Sequence, residues 1–134
     1  MEDREAVNIG ELTEAVNDKM DRDMNNKASN VITLINTYTN GYSGYNIWSN
    51  GYCEQWGLFT IATNGQGTIT FLKQFNGTNY TFIMQKSSSD ASTWNVMEKG
   101  GSRNVNSIGI QSNLTGYTLS GSWRTSGYLA EGEY

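Results

Sequence analysis

Residues 47–57, IWSNGYCEQWG, set an Asn50-Gly51 pair between two runs that favour extended backbone. Asn-Gly between β-prone residues is the strongest short-range hairpin signal, because a two-residue type I′ turn needs positive φ at both central positions. Counting outward from such a turn sets Ser49 opposite Tyr52, Trp48 opposite Cys53, Ile47 opposite Glu54, Asn46 opposite Gln55 and Tyr45 opposite Trp56. Strand side chains alternate between faces. Tyr45, Ile47, Ser49, Tyr52, Glu54 and Trp56 are then expected on one face, with Asn46, Trp48, Cys53 and Gln55 on the other. A structural hairpin motif of Trp48, Asn50, Gly51, Tyr52, Cys53, Glu54 and Trp56 follows, with Cys53 as a small thiol beneath Trp48.

The same texture continues outward. Short alternating runs, LFTIAT (58–63), TITFLKQF (68–75), YTFIMQ (80–85) and YTLSGSW (117–123), are separated by NGQG, NGTN and Ser-rich or Gly-rich stretches. Strands at such spacing predict an antiparallel β-sandwich-like or barrel-like domain over 31–134. The chain has no proline, so its turns rest on Asn and Gly. Before this region, Ile9, Leu12, Val16, Met20 and Met24 recur at three- and four-residue spacing and predict a helix over 5–28. Its apolar stripe is thin, and a lone helix of this length is marginal in water. It therefore needs the following domain or copies of itself to pack against. The expected organisation is a helical stalk or trimerisation segment at 1–30 and a β-rich tip at 31–134.

The totals exclude several classes. The 134 residues carry nine basic and thirteen acidic side chains, a net charge of −4, and no polybasic run. Nucleic acid and anionic membrane surfaces are poor partners for such a chain. No stretch approaches the apolar length of a spanning helix, so no membrane insertion is expected, and the acidic opening MEDREAVNIGEL lacks the core of a signal peptide. The absence of histidine removes the commonest general base and metal ligand. Asp21, Asp23 and Asn25 open like a calcium loop, but Asn26 stands where glycine is required and Ile32 where the bidentate glutamate belongs. No metal or other cofactor is expected. A lone Cys53 has neither an activating base nor a second thiol. Asn76, Asn79 and Asn113 head glycosylation sequons, which matter only in a eukaryotic secretory host.

NIWSNGYCEQWG (46–57) resembles a motif of phage tail-fibre C-terminal domains, the receptor-binding tips. LTEAVNDKMDRDMNNK (12–27) looks like the shaft segment before such tips. GTITFLKQF (67–75) is similar to their next strand, and LTGYTLSGSW (114–123) followed by GYLAEGEY (127–134) to their closing strands. The end departs by one residue, since Glu133 stands between Gly132 and Tyr134 where the family commonly ends Ala-x-Gly-Tyr. The resemblance covers nearly the whole chain. It implies a mainly β, trimeric tip on a short coiled-coil-like stalk, a place in the virion at the end of a tail fibre, and adsorption to a bacterial surface glycan or protein without catalysis. A shaft-like opening is also what a piece of a longer fibre would carry.

Aromatic rings beside turns, with Asn, Asp or Ser as hydrogen-bonding neighbours, suit sugar contact. Tyr42, Tyr45, Tyr80, Asp90 and Trp94 are the expected ligand-contacting residues on that ground, while Trp48, Trp56 and Trp123 read as structural. Glu54 is expected to pair with Lys73, Arg103 or Arg124, within the chain or between copies. Two alternatives stand beside the adhesin reading. One is a polysaccharide-degrading tip using Glu54 with Glu98 or Asp90, as a two-carboxylate hydrolysis requires. The other is a trimerisation cap that binds nothing.

Overall fold

In a computed structural model of the chain, the described residues are 31–87 and 93–134. The expected stalk helix and Asp90 lie outside them. Eight strands form: β1 (Leu34–Asn40), β2 (Ser43–Trp48), β3 (Tyr52–Ile61), β4 (Gln66–Thr70), β5 (Thr81–Lys86), β6 (Val96–Glu98), β7 (Ser107–Ser112) and β8 (Leu119–Tyr128). They make a five-stranded sheet of order β1-β2-β3-β8-β5 and a three-stranded sheet of order β4-β7-β6. Every strand pairing is antiparallel. The mainly β, antiparallel expectation therefore holds for the described residues.

The axis of the larger sheet is the ten-pair ladder of β3 and β8, running from Tyr52 opposite Tyr128 to Ile61 opposite Leu119. Alternation gives this ladder a buried face of Cys53, Gln55, Phe59, Ile61, Leu119, Trp123 and Thr125. The smaller sheet contributes Ile69, Ile108 and Ile110 to the same apolar cluster, and Ile47, Phe71, Phe75, Tyr80, Trp94 and Leu129 complete it. One core thus serves both sheets. Glycines on the central ladder give its rings room. A Cβ on Gly57 would sit 2.8 Å from the Trp123 indole, and one on Gly121 would strike the Phe59 ring. Each ring lies across the bare backbone of its paired residue.

The β2–β3 register differs from the sequence expectation by one residue. Ile47 stands opposite Cys53 and Tyr45 opposite Gln55. The loop is Ser49-Asn50-Gly51, with only Gly51 at positive φ, +85°. Gly51 N donates to Trp48 O at 2.9 Å, and Tyr52 N donates to Asn50 Oδ1 at 3.1 Å. This is the three-residue hairpin solution, a tight turn closed by a left-handed glycine. The slip exchanges the two faces of β2. Ile47 enters the core, whereas Trp48 turns outward, so Cys53 lies beside Ile47 and not beneath Trp48. The physical reason lies in β3, where Phe59 and Ile61 fix the inner parity and an aliphatic side chain serves that face better than an indole.

The two buried polar side chains, Gln55 and Thr125, are matched, whereas the buried Trp94 Nε1 has no partner among the described residues. The Gln55 carboxamide accepts from Lys73 N at 2.8 Å and donates to Lys73 O at 2.9 Å, replacing a strand pairing for the segment after β4. Thr125 Oγ1 donates to Thr81 O at 2.6 Å.

Candidate interaction surface

The side chains of β3 that miss the core define an outward face on the five-stranded sheet. Tyr52, Glu54, Trp56 and Leu58 alternate along β3; Arg124 and Tyr128 come from β8, Ile83 from β5 and Trp48 from β2. Leu58 and Ile83 are each 59% exposed and Tyr128 is 52% exposed. Trp48, Tyr52 and Tyr128 form a row of rings, with centroid separations of 5.9 and 5.5 Å. Trp56 is held flat because Gly44, its partner on β2, has no side chain; a Cβ there would lie 2.7 Å from the indole. Tyr42, Trp56, Leu58, Ile83, Gln85 and Arg124 border an open depression of about 660 Å³. Large exposed apolar groups thus share this face, with Glu54 and Arg124 set among them.

This face carries two opposite charges. Glu54 pairs with Ser126 in the ladder and Arg124 with Trp56, so the two are diagonal neighbours. Neither makes an ion pair with another described residue. Two of the three expected partners of Glu54 are otherwise occupied: Lys73 lies 3.9 Å from Glu133, and Arg103 holds Glu98 through Nε and Nη2 at 2.7 and 2.9 Å. The Glu98 hydrogen bonds raise the Arg103 pKa, and Arg103 also donates from Nη1 to Thr78 O and Tyr80 O.

The smaller sheet turns a different surface outward. Gln66, Thr68, Thr70, Ser107 and Gln111 share its outer side, given the pairing of β4 with β7. None of these side chains hydrogen-bonds another described residue. Gln66, Thr68 and Ser107 line a polar depression with Lys99, Gly101 and Gly109. It offers amides and hydroxyls and a single charged group.

The five residues expected to contact ligand divide. Tyr42 projects from the β1–β2 turn, 77% exposed. Tyr45 is half-buried at the edge of the core side, stacked on Tyr38 at 5.4 Å with Lys73 Nζ 5.4 Å from its ring. Tyr80 and Trp94 are corrections. Tyr80 is 3% exposed, stacked on Phe75 at 4.8 Å, and its hydroxyl donates to Asn104 O at 2.8 Å. Trp94 is completely buried, with Lys86 Nζ donating to its carbonyl at 2.6 Å. Turn-adjacent rings were expected outside, but these two cover the core where strands are lacking. The converse holds for Trp48 and Trp56, expected to be scaffold and found on the outward face. Leu58, Ile83, Arg124 and Tyr128 were missed as surface groups. The alternation of Leu58 with Phe59 and Ile61 was the available signal, because only one parity can enter the core.

Cys53 is wholly buried, and burial pushes its thiol up to about 12. It is no nucleophile at neutral pH. Among the described residues no group of three or more acidic, thiol or imidazole side chains could hold a metal.

No family model and no curated relative matches the chain. The solved structures that share its fold include two fibre fragments. One is the fibre of the R2 pyocin of P. aeruginosa, residues 323–691, at 19% identity and TM-score 0.55, over 72% of this chain and 26% of that one. The second is an N-truncated R2-type pyocin tail fibre, at 18% identity and TM-score 0.55, over 71% of this chain and 39% of that one. The chain thus spans well under half the length of either fibre fragment.

Proposed function

We propose that this chain is the tip of a tail fibre, works as a homotrimer and adsorbs to a bacterial surface glycan without catalysis. The fold shared with pyocin fibre fragments supports the fibre setting. The observation that carries the rest is the inequality of the two outward faces. The five-stranded sheet presents bulky apolar groups together with an unpaired Glu54 and an unpaired Arg124. Copies of the same face can satisfy both charges, because Glu54 of one copy can meet Arg124 of another. The three-stranded sheet presents amides and hydroxyls without partners among the described residues, groups able to donate to and accept from sugar hydroxyls. Tyr42, at a loop tip, adds an exposed ring.

Three tips at one fibre end would multiply weak single-site affinity through effective concentration. The experiment is a glycan array and a whole-cell binding assay with the wild type and a Gln66→Ala/Thr68→Ala/Gln111→Ala variant. The reading expects cell binding that the triple variant loses while its sedimentation is unchanged. A trimer that binds no cell and no glycan would instead be a cap, the reading that these assays separate from adhesion. Turnover of capsule or lipopolysaccharide that depends on Glu54 would replace adhesion with hydrolysis.

A further inference from the structure

The chain contains four Asn-Gly pairs, at 40–41, 50–51, 64–65 and 76–77. Asn-Gly is the dipeptide at which the glycine amide nitrogen most readily reaches the asparagine carboxamide, since no side chain shields it. The four pairs all lie in turns, yet the fold treats them in two ways.

At Asn50 and Asn64 both reacting groups are held. Asn50 Oδ1 accepts from Tyr52 N at 3.1 Å, and Asn64 Oδ1 accepts from Gln66 N at 3.0 Å. The would-be nucleophiles are also engaged: Gly51 N donates to Trp48 O and Gly65 N to Ala62 O, each at 2.9 Å. Both glycines are buried, Gly51 beneath the Tyr134 ring. At Asn40 and Asn76 neither group is held. Their side chains are exposed and bond no described residue, Gly41 N and Gly77 N are likewise unbonded among the described residues, and a Cβ built on either glycine would meet nothing within 4 Å beyond its chain neighbours.

We infer that Asn40 and Asn76 are sites of spontaneous deamidation in the folded protein and that Asn50 and Asn64 are protected by their turns. The step balances with water alone. The glycine nitrogen gives up its proton to solvent base and bonds the asparagine Cγ; the carboxamide nitrogen leaves as ammonia; water opens the succinimide to aspartate or isoaspartate. Each event adds one negative charge. At Asn40 the isoaspartyl product also inserts a backbone methylene into the residue that pairs with Ser43, at the foot of the turn bearing Tyr42. At Asn50 and Asn64 two hydrogen bonds must open first, which slows reaction by about tenfold or more at ~1 kcal/mol per bond.

The test is timed incubation of the full chain in mildly alkaline buffer, followed by peptide mapping with fragmentation that distinguishes isoaspartate. A parallel sample is kept in guanidinium chloride. The expected result is +1 Da product with isoaspartate at 40 and 76, at least about tenfold slower conversion at 50 and 64, and comparable rates at all four in denaturant. Equal rates at all four sites in the folded chain would overturn the inference. So would a silent Asn40 or Asn76, or the same ranking in denaturant, which would place the selectivity in local sequence.

Discussion

Ile47 stands opposite Cys53 across the β2–β3 ladder, and this one pairing decides that Trp48 faces outward. With Ile47 inside, Trp48 falls on the outward side of the sheet with Tyr52, Trp56, Leu58, Ile83 and Tyr128. Had Trp48 stood opposite Cys53, the indole would point into the core and the outward row would keep only Tyr52 and Tyr128.

On the proposed trimer, charge placed on that outward face should separate the copies without unfolding them. Leu58→Glu and Ile83→Glu are both at positions 59% exposed, so each should change stability of the isolated fold by no more than about 0.5 kcal/mol. Circular dichroism should be unchanged while the sedimenting mass falls. Arg124→Glu should weaken assembly, and Glu54→Arg with Arg124→Glu should restore it in part, because the exchange re-creates complementarity between copies.

Gln55→Ala should be costly although no apolar group is lost. It leaves Lys73 N and Lys73 O without their partner, and each unsatisfied buried group costs about 1–3 kcal/mol. Denaturant titration should show a lowered midpoint with an unchanged slope. Gln55→Leu should not rescue it.

The hairpin shows how far residue patterns reach. Asn50-Gly51 correctly marked a turn between strands, and the alternating runs marked a mainly antiparallel fold. Turn length was not legible, because Asn-Gly suits both a two-residue loop and the closing positions of a three-residue loop. The inner parity of β3, visible in Phe59 and Ile61, was the stronger constraint. Tyr80 and Trp94 were misplaced for a related reason: local polarity places a loop, but not whether the loop folds back over a core. Tyr80 is drawn in by Phe75, across its own turn, and by Phe71 and Arg103 beyond it.

Gly121→Ala should be among the most damaging small substitutions. A Cβ there meets the Phe59 ring and the carbonyl of Gln85, so the β5–β8–β3 pairing must spread. A loss of about 1–3 kcal/mol is expected from overpacking, read as a fall in melting temperature. Gly77→Ala, with open space around it, should leave stability nearly unchanged.

Cys53 should resist alkylation in the folded protein near pH 8 and react fully in denaturant. Its thiol is raised from 9.0 to about 12, by burial first. The neutral thiol is thus favoured by folding. Its contribution to stability is complete below pH 9 and fades as pH rises toward 12. Tyr80, raised mainly by burial, adds in the same direction. Cys53→Ala should flatten, without abolishing, the alkaline fall in stability measured between pH 9 and pH 11.

Sedimentation equilibrium of the full chain at micromolar concentration tests the central claim, that copies of this chain cover the outward face of the five-stranded sheet. The account predicts a single species of three times the 14.9 kDa chain mass, reduced to one chain mass by Leu58→Glu. A folded wild-type monomer, or a trimer indifferent to charge at Leu58 and Ile83, would contradict it.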